Sequence, residues 1–454
     1  MLCSQRELSP SFAADARQQA TSGTAVSAAN DTRPQPPRLT LRRTRLDNGL
    51  RVVLHRDASL PTVAIAVSYA VGTRNELANE QGFARWLQHA MFQGSRNVAA
   101  GEHARQIEEQ GGSHAAWTSV DRTLFVDVLP AHALALGLWL EADRMKSLEL
   151  SGAELGWQER LLEIEGEKRD RDQAKRGAGE LQALVFREAG PARPGADANG
   201  SASAEQLLPG LRAFQQRYYA PNNAVLTLAG DFEVLDALNL IQSQFADAKP
   251  VALPPAPSAH PSEQSEPRRV VLQDPEAQRP ALWQGWSIPG VRTAEHDALQ
   301  LARAILGTGV SSRLHQLLAT EKGLAQRVSV WTDDNRGSDL FGIEVQLLET
   351  ADPEQASRLV LGQVAALGRF GPSAPEMQRA LRVLETDAWL QLDGNQARAS
   401  ALCDAELFAH DARRLETDIQ RYRQVSSEDV RRAVAGYLRP TRRSDVLLVR
   451  ARPR

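Results

Sequence analysis

Along residues 82–94, GFARWLQHAMFQG, apolar side chains fall at Phe83, Trp86, Leu87, Ala90 and Met91. This i, i+3, i+4, i+7, i+8 spacing makes one stripe of an α-helix. Arg85, Gln88 and His89 fall together on another face, where side chains three and four residues apart can share a site. Before the helix, Leu50–His55 follows the turn Asp47-Asn48-Gly49 and reads as a strand. Val63–Val71 is nearly all apolar and suits a buried strand. After it, the pattern predicts a short helix at Glu102–Gln110, a break at Gly111-Gly112, strands at Ser113–Ser119 and Thr123–Leu129, and a helix at Ala131–Met145. A helical stretch at Ala153–Glu188, a helix at Glu205–Tyr218, a strand at Ala224–Ala229 and a helix at Phe232–Phe245 complete this half.

Residues 250–267, PVALPPAPSAHPSEQSEP, favour an extended linker. Beyond them the order of elements recurs. Strands are predicted at Arg269–Leu272 and Ala281–Ile288, and helices at Thr293–Leu306 and Ser312–Ala319. Strands at Ala325–Thr332 and Leu340–Leu348 precede helices at Pro353–Leu367, Ala374–Leu390, Ala397–Phe408 and Ser427–Tyr437, with a last strand at Asp445–Val449. The division expected is a disordered tail (1–38), an N-terminal domain (39–249), the linker (250–267) and a C-terminal domain (268–454). Residue identity between the halves is low, so the repeat is one of topology.

Composition narrows the function. The 454 residues are 42% hydrophobic and 24% charged, as in ordinary globular proteins, with a net charge of −3 that gives no electrostatic case for nucleic-acid binding. The Arg-rich helices also carry Glu and Asp and read as solvated faces. No apolar run is long enough to span a bilayer, and the first residues lack the apolar core of a signal peptide. Of two cysteines, Cys3 lies in the tail, so no structural disulfide is expected with Cys403.

The frame around the helix resembles the inverzincin metallopeptidases, the pitrilysin–insulinase family, to which the mitochondrial processing peptidase belongs. Their helix carries H-x-x-E-H, two zinc-binding His around a general-base Glu. Here the run is R-x-x-Q-H: Arg85 stands at the first ligand, Gln88 at the base, and His89 remains. The family's third ligand is a Glu on a later helix. Glu165, 76 residues beyond His89 and just after Leu161-Leu162, takes that position; Glu167, in Glu167-Lys168-Arg169, is the alternative. Without the resemblance both would read as surface carboxylates. Further matches are Trp139–Met145 (WLEADRM), Tyr218–Ala224 (YYAPNNA), Leu228–Asp231 (LAGD) and the Gly-rich turn Leu306–Leu314 (LGTGVSSRL). No Gly-Lys-Ser/Thr follows that turn, so it is not a phosphate loop.

The departures are specific. In the family's Gly-Gly-x-x-Asn-Ala-x-Thr the Asn contacts the substrate backbone; in Gly111–Thr118 (GGSHAAWT) that position is Ala115, with His114 beside it. After Glu321-Lys322-Gly323-Leu324-Ala325 the family's substrate-binding Tyr is Gln326, and its Arg seven residues earlier is Ala319. Arginine keeps its proton and offers no lone pair, so Arg85 cannot ligate zinc, and Gln88 cannot take a proton from water. An ion pair of Arg85 with Glu165 or Glu167 would fill the old pocket.

The resemblance implies an α+β fold of two similar domains, each an antiparallel-rich β-sheet with helices packed on it, facing each other around a chamber. It further implies a catalytically inactive homologue, the non-catalytic subunit of a heterodimer with a zinc-bearing partner chain, holding an extended peptide; a homodimer stays open. No cofactor is expected. The alternative is an active zinc peptidase with a rebuilt site using His89, Glu165 and an unrecognised third ligand, for which His114 is the nearby candidate in sequence, and a third reading is a non-proteolytic binding or scaffold protein. Family analogy suggests the periplasm, and the missing signal peptide the cytoplasm.

Overall fold

A computed structural model describes residues 39–150, 172–186, 204–255, 264–275, 277 and 279–450, with the backbone of 196–197 and 200–201. Cys3, Glu165, Glu167 and the tail 1–38 lie outside the described residues, as do positions 256–263 of the linker.

The strands are β1 (Leu41–Arg45), β2 (Arg51–Arg56), β3 (Thr62–Tyr69), β4 (Ser113–Thr118), β5 (Thr123–Pro130), the small ribbon β6 (Ala196–Asp197) and β7 (Gly200–Ser201), β8 (Ala224–Gly230), β9 (Arg268–Asp274), β10 (Ala281–Pro289), β11 (Ala325–Thr332), β12 (Ser338–Leu347) and β13 (Ser444–Arg450). They form a six-stranded sheet in the order β1-β2-β8-β3-β5-β4 and a five-stranded sheet in the order β11-β12-β10-β13-β9. With β1 set aside, each sheet places its first, fifth, second, fourth and third strands side by side. The single parallel pair sits in the same place in both, β2 with β8 and β9 with β13. The α+β fold of two similar, antiparallel-rich units is thus as expected, and the repeat lies in topology.

The helices are α1 (Phe83–Ala90), α2 (Glu102–Glu109), α3 (Leu134–Ser147), α4 (Gln173–Phe186), α5 (Ala204–Tyr218), α6 (Val234–Phe245), α7 (Ala294–Gly307), α8 (Pro353–Phe370), α9 (Ala374–Leu390), α10 (Gly394–Ala409), α11 (Arg414–Gln424) and α12 (Ser427–Tyr437). One face of the first sheet packs on α1, α3, α5 and α6, through Ile65, Phe125, Leu138, Phe214 and Ile241. Its other face is covered by α10, from the far end of the chain: Ala399, Leu402 and Cys403 lie against Val53, Ala64, Val126 and Val225. Arg122–Asp404 (2.7 Å) and Asn395 Nδ2 to Thr62 O (3.0 Å) fix α10 there. The second sheet shows the reciprocal arrangement. It packs on α7, α8, α9 and α12 on one side and receives α4 on the other, where Leu181 and Val185 meet Trp283, Val446 and Leu448. Each sheet is therefore completed by a helix from the other half of the chain.

This close approach of α4 depends on a glycine. A Cβ at Gly177 would lie 2.4 Å from the buried ring of Trp283. In an open helix Gly→Ala gains up to ~1 kcal/mol; here Gly177→Ala is expected to cost ~1–3 kcal/mol by overpacking, measured by urea unfolding.

The stripe predicted on α1 is its buried face: Phe83, Trp86, Leu87 and Ala90 are all buried. Gly82 opens the helix at φ 88°, a left-handed conformation that suits glycine. The Glu76 carboxylate accepts from the N–H groups of Gly82 and Ala84, both at 2.8 Å, satisfying donors of the first turn. Besides the small ribbon β6–β7, strand β1 and helix α11 were not visible in the pattern. Strand β1, LRRTR, is a charged edge strand, a place where charge is tolerated because one edge faces solvent. Helix α11 buries Ile419 alone and carries Arg–Asp pairs such as Arg414–Asp418 (3.1 Å). The predicted helix at Ser312–Ala319 is instead one turn at Arg313–His315 running into a π-helix over Gln316–Glu321.

Candidate functional site

With its apolar face on the core, α1 turns Arg85 to solvent and leaves Gln88 and His89 half-buried. Both Arg85 and His89 are engaged in polar, ionic or ring contacts. Gln88 Nε2 donates to the carbonyl of Ala116 on β4 at 3.3 Å. Among the described residues, strand β4 is the edge of its sheet and pairs with β5 alone. The hydrogen bond from Ser119 N to Arg122 O (2.8 Å) sets the phase of this hairpin. The pairs Trp117–Leu124 and Ala115–Val126 exchange backbone bonds, so His114, Ala116 and Thr118 turn theirs outward. Gln88 thus binds a carbonyl that points away from β5.

Between α1, α2 and β4 lies a cavity of about 320 Å³, lined by Gln88, His89, Phe92, Gln93, His114 and Ala115 among others. His114 and Ala115 both reach it, because an edge strand offers its rim as well as its faces. The His114 ring stands 5.0 Å from Phe92, and its Nδ1 is enclosed without a hydrogen bond among the described residues, 3.9 Å from Glu108.

Beneath Phe92 is a buried ionic layer. His103, Asp127, Glu141 and Arg144 are each at most 5% exposed. His103 Nε2 is 3.1 Å from Asp127 Oδ2, Arg144 binds Glu141, and the Arg144 guanidinium lies 5.0 Å from the Phe92 ring and 4.2 Å from that of Phe125. Burial pushes the Glu141 carboxyl up to about 7 against the pull of Arg144. Burial acts likewise on Asp127, but His103 and Arg144 hold it below its ordinary value. Asp127 Oδ1, Glu141 Oε2 and Arg144 Nε and Nη1 have no hydrogen-bond partner among the described residues. The donor atoms of His103, Asp127 and Glu141 lie within 4.8 Å of one another, a spacing a metal could use. The Arg144 cation already holds Glu141, so the layer reads as a charge-balanced support for the cavity wall. A second such group, His296, Asp334 and Asp339, locks a turn. Asp339 accepts from the N–H of Asp334 (3.1 Å) and Asn335 (3.2 Å), and the two carboxylates, against burial, push His296 up to about 9.

In the second half, Ala319 sits half-buried in the π-helix, and Gln326 is exposed on β11, where its side-chain oxygen accepts from Arg279. The Gly-rich turn ends α7, and Arg379 donates to the carbonyls of Thr308 (2.8 Å), Ala304 (3.0 Å) and Ile305 (3.2 Å). An Arg side chain on the last carbonyls of a helix is a C-terminal cap, so the turn presents capped carbonyls rather than the N–H groups that cradle a phosphate.

A zinc site needs three ligands with lone pairs and a base to activate water. The polar face of α1 supplies one imidazole, His89, beside an amide and a guanidinium, a donor set that does not fit zinc. The ionic layer escaped the sequence reading, although its signal was present. Asp127 interrupts the apolar positions Phe125 and Leu129 on one face of β5, and Glu141 falls between the core positions Leu138 and Met145 of α3.

Residues 51–178 match the family description "Insulinase (Peptidase family M16)", and residues 209–384 match "Peptidase M16 inactive domain". An uncharacterized zinc protease of Mycobacterium tuberculosis is 27% identical over 410 residues, covering 87% of this chain and 90% of that protein. The mitochondrial-processing peptidase subunit beta of Blastocladiella emersonii is 24% identical over 408 residues, 87% of this chain and 85% of that one. In fold, the chain resembles a protease from Helicobacter pylori, with a TM-score of 0.82, 21% identity and coverage of 90% and 99%. It also resembles the peptidase M16 inactive domain from Pseudomonas fluorescens, with a TM-score of 0.78, 20% identity and coverage of 91% and 100%. Matched in both halves and in the same chain order, the protein belongs to the insulinase–pitrilysin family of peptidases, family M16.

Proposed function

We propose that this chain is a non-catalytic member of its family, which holds an extended peptide and completes a chamber with a zinc-bearing partner chain. The observation that carries this reading is Gln88: the general-base position bears an amide, and that amide binds the Ala116 carbonyl. Arg85, a permanent cation, stands where the first ligand would, and its ion pair with Glu165 or Glu167 is part of the proposal. The family chamber would be formed by domains at 39–249 and 268–454, joined by the linker 250–267. A peptide would add to β4 as a further strand, meeting the outward backbone groups of His114 and Thr118, with Trp117 (46% exposed) alongside. Ala115, Ala319 and Gln326 would leave the peptide held by backbone contacts rather than by the family's side chains.

The test mixes the chain with a family member carrying intact H-x-x-E-H, followed by sedimentation velocity and peptide hydrolysis. A one-to-one complex whose activity exceeds that of the partner alone is expected. Chelator-sensitive hydrolysis by this chain alone would support the rebuilt-site reading instead. One observation favours that second reading: His114, whose Nδ1 has no hydrogen bond among the described residues, lines the same cavity as His89. It would still need a replacement base. Among the described residues no helix is long and apolar enough to cross a membrane.

A further inference from the structure

At the C-terminal end of α10 the chain turns through His410, at φ 54°, and four arginines converge there from different parts of the fold. Arg43, on β1, is matched by carboxylates: it binds Glu406 through Nε (2.8 Å) and Nη2 (3.1 Å) and Asp411 through Nη1 (3.1 Å). The guanidinium groups of the other three make no ion pair with a carboxylate among the described residues, although the backbone N–H of Arg336 donates to Asp121 Oδ2 (2.7 Å). Arg51, at the start of β2, donates through Nη1 to the Glu406 carbonyl and to His410 Nδ1, both at 2.8 Å. Arg292, between β10 and α7, donates to the Phe408 carbonyl. Arg336, between β11 and β12, lies 5.6 Å from the centre of the Phe408 ring. Arg292 is itself held at φ 85°, a backbone conformation that disfavours a side chain, so the fold tolerates local strain to place it.

The Glu406 carboxylate also attracts Arg51 and His410, but its oxygens already accept from Arg43 and the Ala412 N–H, so the corner has more donors than acceptors. Since Nδ1 accepts from Arg51, the imidazole is neutral and its Nε2 carries the remaining proton. The guanidiniums repel one another and disfavour a protonated His410. Burial first, then Arg51 and Arg336, lowers the His410 pKa, and burial with Arg414 and Arg336 lowers that of Arg292. A carboxylate lies in one plane and satisfies one guanidinium fork; a tetrahedral oxyanion accepts from several directions at once.

We propose that Arg51, Arg292, Arg336 and His410 form a binding site for a phosphate-type dianion, free or carried as a small monoester. The site draws on both sheets and on α10, so occupancy would tie the two halves together. The test compares inorganic phosphate and glycerol phosphate with chloride at matched ionic strength, on the full chain, by calorimetry and thermal unfolding. Phosphate is expected to bind, to raise the unfolding temperature and to raise the His410 pKa seen by NMR. The pair Arg292→Gln and Arg336→Gln, both exposed in the fold, should lower affinity about tenfold or more, and Arg336→Lys should retain part of it. Equal or tighter binding of the monoester assigns the site to a carried phosphate, and weaker binding to the free ion. No preference over chloride, or an equal response from the doubly substituted chain, would overturn the proposal.

Discussion

Replacing Arg85 by His and Gln88 by Glu is expected to turn a chain that loses zinc on dialysis into one that retains about one equivalent. The helix needs no change of shape. Its apolar stripe is buried, and positions 85, 88 and 89 already share the opposite side. Arg85→His removes a permanent cation and adds a lone pair facing that of His89, one turn away. Gln88→Glu restores a group that can accept a proton from metal-bound water. It also replaces a donor to the Ala116 carbonyl by a carboxylate, which that carbonyl repels, so the new side chain turns from the β4 edge. Arg85→His alone should bind zinc without gaining hydrolysis; the double substitution should gain both. Removing Glu165 or Glu167 in that background tells which is the third ligand, by which loss abolishes the zinc. A folded double variant without zinc would mean that neither carboxylate reaches the site.

The second large effect concerns the buried layer. Arg144→Ala is expected to lower stability by about 3–5 kcal/mol, because Glu141 and Asp127 then stay buried without their cation. It would also remove the guanidinium from the rings of Phe92 and Phe125, so the cavity wall should loosen. Arg144→Met, which keeps the packing stem, should be less harmful. The layer also gives a pH signature. The Glu141 carboxyl is raised in the fold to about 7, so the folded state holds a proton that the unfolded chain releases at lower pH. Stability from this group is present below the ordinary carboxylate range and is lost as pH rises toward about 7. Glu141→Gln should remove that decline. Urea midpoints between pH 4 and pH 8 read both effects; a midpoint that stays flat in the native chain would contradict the assignment.

Much of this fold was legible because burial writes periodicity into sequence. The α1 stripe reported the face it buries, and the nearly all-apolar β3 reported a strand buried on both faces. The repeat was legible as an order of elements, while its strand order and the single parallel pair in each sheet needed coordinates. Elements that bury little were missed: β1 is a charged edge, and α11 buries Ile419 alone. The exchange of α4 and α10 between sheets was also hidden. An amphipathic helix states that one face is buried but not against which partner; Leu181 meets Trp283, and Cys403 meets the carbonyl of Val225 at 3.5 Å. At the site, R-x-x-Q-H could be read directly, whereas the use of Gln88 on the β4 edge and the layer under Phe92 are tertiary facts. Spacing along α1 places three side chains together but says nothing of the strand across from them.

The most direct measurement is zinc content per chain, on folded protein purified without chelators, for the native sequence and for His89→Ala. A non-catalytic chain predicts zinc far below one equivalent in both. About one zinc per native chain, lost on His89→Ala, would contradict this account and return the protein to the working zinc peptidases.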